Sequence, residues 1–440
     1  MRSELTRPLC PKRRADFKAF PVANEMVLLS PDREHAYTLN ESGAAIWELC
    51  DGRHSLRDML DALRARYAGE DVGVLTDVAE ALLRFRTFGL IDTAGVPLAG
   101  RSDPTAVILA PAAPARARIR FVFGIEDRVY FHWQLAILFE SLVGQLPPGW
   151  DMTVVVCNDH AELSPELTRL LGVYGVSAVT GANHGRSHDI DFSEGRGGYV
   201  ALNRVEALKS IAAYVERDDV VCLMDTDLFL YGEIQEDLFP TGNAMAENGI
   251  IGEQLFMGFA SSGRGIDLNK LLASMGCETP LKPGGVTVFL TGETVRNEKV
   301  LRDCFRFAQI LFLLGKVLDL PAHATWVAEM ACFAMALTPN RIDYALLDIP
   351  QFGVLPPRQE RVPEGSFYHY YCDPNDAGGV GPFRDSEWHK QLFTDSDFLR
   401  ADLEGFRAGA RSDLERRFLE FALAARRRLH GAATPPEAPS

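Results

Sequence analysis

The chain has 440 residues, too many for one ordinary hydrophobic core, so two or three domains are expected. A composition of 47% hydrophobic and 24% charged residues is that of a globular protein, neither disordered nor fibrous. Lys and Arg total 45 against 60 Asp and Glu, a formal net charge of −15, which argues against a nucleic-acid partner because the phosphate backbone rewards cations.

The chain opens locally basic, with Arg2, Arg7, Lys12, Arg13, Arg14 and Lys18. The pair Arg13-Arg14 is not followed by an apolar run and is not read as an export signal. No apolar run reaches the roughly 18 residues of a membrane span, so no membrane partner is expected. Eight cysteines form no C-x-x-C pair and several sit in apolar runs, which reads as buried reduced thiols in a cytoplasmic protein.

Residues 25–30 (EMVLLS) and 35–40 (HAYTLN) are expected as strands joined by the PDRE turn, where Pro31-Asp32 suits a tight reversal. Asn40 is placed to cap a helix over ESGAAIWELC, with Glu41 at its positive end and Asp51-Gly52 stopping it. Ser55 caps the next helix, SLRDMLDALRARY, whose Leu56, Met59, Leu60 and Leu63 share one face. A third helix is expected over LTDVAEALLRFRTFG, with Val78, Leu82 and Phe85 inward and Gly89 as its stop. The result is a small winged-helix-like α+β module over 1–95 with no His/Cys cluster and no acid–base pair.

These residues resemble the PqqD-like domains, also called RiPP recognition elements. The resemblance rests on LN-x(5)-IW-x(2)-CDG-x(3)-L and the closing F-x-x-F-G-L-I, and covers nearly all of 18–95. It implies that the module binds the leader of a ribosomally made precursor peptide, which adds as a strand to the exposed sheet edge and packs on the third helix. Here that edge is about His35, Tyr37 and Leu39, and the helix offers Asp77, Glu80, Ala81, Arg84 and Phe88. The competing readings are an inert dimerisation module and a DNA-binding winged helix, the latter disfavoured by the lack of a basic recognition helix.

Residues 96–117, rich in Ala, Pro and Gly, read as a linker. From 118 to about 400 strands and helices alternate, as in a mostly parallel α/β sheet with flanking helices. The remainder, 401–440, holds an amphipathic helix with a basic end and a tail. Near the centre of the α/β region lies VVCLMDTDLFL, 220–230. A strand apolar on both faces is a central one, and ligands of open α/β sheets bind at the carboxyl ends of the strands. Asp225 and Asp227 fall at that end, and side chains two apart on a strand point the same way. Two carboxylates so close are costly without a cation, so a hard divalent ion with a diphosphate in its shell is the natural partner. A chance D-x-D in an acidic chain is the competing reading.

The setting resembles a GT-A glycosyltransferase, a Rossmann-like fold whose D-x-D holds the metal of a nucleotide-sugar. The strand RIRFVFGIED, the strand MTVVVCND, the helix ALNRVEALKSIAAYV, the acidic strand, PGGVTVFLTG, TWVAEMACFAMAL and FYHYYCDP occur in that order. The order is similar to that of the hydroxyproline arabinosyltransferase and peptidyl-serine galactosyltransferase group, with Asn203-Arg204-Val205 departing from its N-K-P. The resemblance implies Mn²⁺ or Mg²⁺ on Asp225, Asp227 and His369, and a nucleotide-sugar donor, foremost a UDP-sugar. It places Asp159, Asn203, Arg204, Asp225, Gly284 and Gly285 at the donor, with Glu329 and Asp227 in catalysis. For each there is a plainer alternative: a turn for Asp159, a solvated face for Arg204, a turn for Gly284-Gly285, a salt bridge for Glu329, a structural role for His369, and core packing for Trp326. Joined, the halves imply a transferase that binds a leader and glycosylates a side-chain hydroxyl of the core peptide. A metal-dependent nucleotidyltransferase or hydrolase, or a non-catalytic peptide-binding scaffold, would use the same features.

Overall fold

The expected capping residues set the first domain. In this computed structural model Asn40 Oδ1 accepts from the Gly43 amide at 2.9 Å and starts helix α1, Glu41–Leu49. Ser55 and Asp58 cap each other at the start of α2, Leu56–Tyr67: the Asp58 amide donates to Ser55 Oγ and the Ser55 amide to Asp58 Oδ2. α2 buries the expected Leu56, Met59, Leu60 and Leu63. α3, Asp71–Thr87, ends before Gly89, whose φ of +63° suits a glycine. The structure describes residues 10–23, 25–67, 71–92, 108–110, 118–158, 162–184, 201–247, 266–277, 281–282, 284–318, 320, 328–347, 365–370, 390–410 and 412–431.

β1, Lys12–Arg13, pairs with β5, Ile91–Asp92. β2 (Lys18–Val22), β3 (Glu25–Leu29) and β4 (Ala36–Leu39) form an antiparallel sheet in that order. The sequence did not announce β2. All five of its residues are exposed, so it shows no alternation, and Pro21 fits only an edge.

The larger sheet has eight strands in the order β14-β12-β13-β10-β7-β8-β9-β6. These are β6 (Ile108–Ala110), β7 (Ile119–Ile125), β8 (Trp150–Cys157), β9 (Ser177–Gly181), β10 (Val220–Leu223), β12 (Ala244–Glu247), β13 (Gly284–Thr291) and β14 (Ala345–Leu347). β13 and β6 run against the other strands, so the sheet is mostly parallel. β6 lies within the segment read as a linker and closes one edge of the sheet on β9. β11 (Leu228–Tyr231) and β15 (Ser366–His369) form a separate antiparallel pair.

Alternation along the strands divides the core. Val122, Val155, Val221, Leu223, Val288 and Leu290 face α6 (Leu202–Ile211), α8 (Glu298–Val317) and α9 (Ala328–Leu337). Phe121, Phe123, Val154, Val156, Cys222 and Phe289 face α4 (Val129–Leu142), α5 (Pro165–Tyr174) and the C-terminal helix α10 (Asp413–Gly431). α10 is part of this core: the Phe418 ring lies 4.8 Å from that of Tyr370, tilted by 59°, and Arg428 grips Glu140 with two bonds of 2.7 and 3.0 Å. α7, Leu268–Ser274, packs with α8 against α3 of the first domain. Thr76 and Ser274 hydroxyls lie 3.0 Å apart, and Glu80 pairs with Arg306. The buried residues of the first domain and of the α8 face form one contiguous cluster.

Among the described residues no helix is long and apolar enough to cross a membrane. Seven of the cysteines are described, all as free thiols, and Cys10 alone of them is not buried.

Candidate active site

β10 is flanked by β7 in parallel and β13 antiparallel, and is buried at every position. Its ladder stops at Leu223. Met224 still donates its amide to Val122 O at 3.1 Å, and the chain then bends through Asp225, Thr226 and Asp227 into β11. The acids therefore lie just past the strand, which corrects the expectation of two carboxylates aligned by the pleat. Their convergence comes from the bend. β11 pairs with β15 so that Leu228 faces His369, and the Tyr370 amide donates to Asp227 O at 3.0 Å. His369 Nε2 is 2.9 Å from Asp227 Oδ1 and 3.9 Å from Asp225 Oδ2.

Asp225, Asp227 and His369 bring one ligand atom each within 4.8 Å of one another. Two carboxylate oxygens and an imidazole nitrogen are a donor set that Mn²⁺ accepts readily and Mg²⁺ accepts through its oxygens. Asp227 and His369 are buried and Asp225 is partly open, which leaves one side for a ligand.

Arg204 is brought to the site by a close approach of α6 to the end of β7. A side chain at Gly124 would lie 2.6 Å from Asn203 O, so glycine there lets the helix in. Arg204 Nε then sits 3.1 Å from Asp225 Oδ1, and its Nη1 donates to Glu329 Oε1 at 2.6 Å. Burial works against the Arg204 charge, but Asp225 and Glu329 outweigh it and hold the guanidinium above its usual range. Burial pushes the Glu329 carboxyl up to about 7, with Arg204 pulling it down and Asp225 pushing it further up. Glu329 is 1% exposed behind Arg204, in the salt bridge that was the plainer of the two expectations for it.

Two other expected donor residues are otherwise engaged. Asn203 Oδ1 accepts the His184 amide at 2.9 Å and so holds the chain after β9. The space beside Gly284 is filled by Met245, whose Cβ a side chain there would meet at 2.1 Å, so this glycine serves strand packing between β13 and β12. Gly285 lies next to it in β13. Asp159 and Trp326 are outside the described residues.

Polar groups just past β10 and β7 were not among the expected site residues. Thr226 Oγ1 donates to Gln134 Oε1 at 2.6 Å. Asp127, after β7, accepts from Ser164 N and Oγ at 2.6 and 2.7 Å and meets His132 Nε2 at 2.7 Å. Burial alone would raise Asp127, but these bonds hold it below the ordinary carboxylate range. The available signal was a polar residue inside an otherwise apolar segment.

In the first domain, β4 is an edge among the described strands. Its Tyr37 ring lies 5.2 Å from that of Phe88, just past α3, and 6.5 Å from His35. Leu39 is half-buried against the core. Phe88 is 51% exposed. Asp77, Ala81 and Arg84 lead along α3 toward it, Asp77 and Arg84 exposed and Ala81 half-buried. Glu80 is turned to Arg306 of α8 and lies 3.8 Å from Arg84, so it is engaged at the junction between domains.

The chain is similar to several known proteins. A PqqA binding protein of Bradyrhizobium diazoefficiens is 36% identical over 80 residues, 18% of this chain and 75% of that one. The structure of TbiB1 in complex with the TbiA(beta) leader peptide matches 20% of this chain and 98% of its own at 22% identity, with a TM-score of 0.18. The structure of the galactosyltransferase LgtC in complex with donor and acceptor sugar analogues matches 72% of this chain and 98% of its own at 13% identity, with a TM-score of 0.40. Residues 25–91 match the model of PqqD, coenzyme PQQ synthesis protein D, and through this N-terminal domain the chain belongs to the PqqD family.

Proposed function

We propose that this chain is a peptide glycosyltransferase that holds the leader of a ribosomally made precursor on its PqqD domain and transfers a sugar from a nucleotide-sugar to a side-chain hydroxyl of the core. The observation that carries this reading is the convergence of Asp225, Asp227 and His369 within 4.8 Å at the carboxyl end of a central strand. That is where an α/β sheet binds nucleotides, and the donor set suits the divalent ion of a diphosphate.

Asp225, Asp227 and His369 would hold Mn²⁺ or Mg²⁺, which when bound supplies Lewis-acid stabilisation of charge on the departing diphosphate. Arg204 fixes the Asp225 carboxylate and keeps one positive charge beside it, and Glu329 fixes Arg204 from behind. In the transfer the bond from the sugar's anomeric carbon to the diphosphate oxygen breaks. The diphosphate oxygen keeps the electron pair of that bond, a bond to the acceptor oxygen forms, and the hydroxyl proton passes to the departing diphosphate or to solvent. A UDP-sugar is the donor favoured. The edge of β4, with Tyr37 and Phe88, takes the leader as an added strand. Tethering the leader raises the effective concentration of the core at the acid pair.

The test is co-expression with any short peptide encoded beside the gene, followed by mass spectrometry. A mass increment of one sugar on a peptide, absent with Asp227→Asn, is the expected result. Nucleotide turnover with no sugar on any peptide would instead favour a metal-dependent nucleotidyltransferase or hydrolase. Unchanged peptide binding with no turnover would favour a binding scaffold.

A further inference from the structure

Helix α4 reads VYFHWQLAILFESL, mostly apolar, yet two polar side chains are sealed within it. Gln134 is 1% exposed and Ser141 0%. Seven residues apart, they lie two turns apart on one face of the helix. Both are spent on the segment that carries the acid pair. Gln134 Oε1 accepts from Thr226 Oγ1 at 2.6 Å, and Ser141 Oγ accepts from the Leu230 amide at 3.0 Å.

Thr226 stands between Asp225 and Asp227 in the bend where ladder pairing has stopped at Leu223 and not yet resumed at Leu228. Between those ladders the Asp227 carbonyl accepts the Tyr370 amide at 3.0 Å, and the rotation of Asp225 and Thr226 is left to side-chain contacts. The Thr226 hydroxyl is drawn to α4, and its two neighbours turn to His369 and Arg204. A bend that carries two like charges needs such a hold, because the acids otherwise gain by swinging apart.

We propose that Gln134, acting through the Thr226 hydroxyl, is a positioning residue of the divalent-ion site, with Ser141 pinning the far end of the same segment. The proposal rests on Asp225, Asp227 and His369 being that site. Groups one step behind metal ligands commonly set affinity by about 10- to 100-fold. A merely structural hydrogen bond would change stability and leave ion affinity alone.

The experiment is calorimetric titration of the full chain with Mn²⁺, paired with thermal unfolding of the same samples. Thr226→Val and Gln134→Leu are each expected to weaken Mn²⁺ binding about 10-fold or more. Thr226→Ser keeps the hydroxyl and is expected to bind like the parent. The double variant is expected to be no weaker than the worse single one, because both remove one bond. Thr226→Val with parental Mn²⁺ affinity and a lowered melting temperature would overturn the positioning role while leaving the ion site standing. A parent protein that binds Mn²⁺ no better than Asp225→Asn would remove the ion site and this proposal with it. Should Gln134→Leu fail to fold, the Val and Ser variants at 226 decide the question between them.

Discussion

Arg204 is the residue on which the charge balance of the site turns. It is buried between Asp225 and Glu329, so its removal would strand the Glu329 carboxyl in the interior and leave the partly open Asp225 without its cation. Breaking a buried ion pair from one side costs about 3–5 kcal/mol. Arg204→Met is therefore expected to lower metal-free stability by about 3 kcal/mol in urea unfolding, whereas a surface arginine such as Arg84 changed to Met should cost well under 1 kcal/mol. Glu329 adds a pH dependence. Its folded pKa is raised from 4.5 to about 7, so between those values the folded chain holds a proton that the unfolded chain has released. Stability then falls as pH rises through this window. Glu329→Gln is expected to flatten that slope in metal-free protein, and an unchanged slope would assign it to another group. Asp225 and Asp227 stood out in the sequence because they follow an apolar run, whereas His369, inside an aromatic strand, was singled out only through the family resemblance. The bridge through Arg204 was not legible, since it depends on how closely α6 approaches β7 at Gly124. Nor was the role of Gly284, whose neighbour Met245 lies 39 positions away in the chain.

At the level of elements, local chemistry carried what is local. Asn40, Ser55 and Gly89 mark helix boundaries that the structure keeps, because a cap needs only its own turn. The direction of β13 and the departure of β11 and β15 from the main sheet were not readable. A strand's own residues look the same whichever way its neighbour runs. For the peptide edge, the ring pair of Tyr37 and Phe88 joins β4 to the end of α3. Phe88 is 51% exposed and costs little to change in the free protein. Phe88→Asp is expected to weaken binding of a modified peptide by about tenfold, a hot-spot loss of the usual size for an aromatic anchor, with an unaltered melting temperature. Fluorescence anisotropy with the labelled peptide measures it, and an equal loss of stability would point to packing instead.

Across the whole molecule, the PqqD domain is docked on the sheet domain through α3, with Thr76 to Ser274 and Glu80 to Arg306, over one continuous apolar cluster. Shared cores unfold together. A single calorimetric transition is expected for the full chain, and two well-separated transitions would show the domains to be independent. The claim on which all of this depends is that Asp225, Asp227 and His369 form a divalent-ion site for a nucleotide-sugar. The direct measurement is calorimetric binding of a panel of nucleotide-sugars with and without Mn²⁺, to the parent chain and to Asp225→Asn. Binding of one donor that requires Mn²⁺ and is lost in Asp225→Asn is the predicted result. Binding to none, or binding indifferent to both the ion and the substitution, would contradict the account.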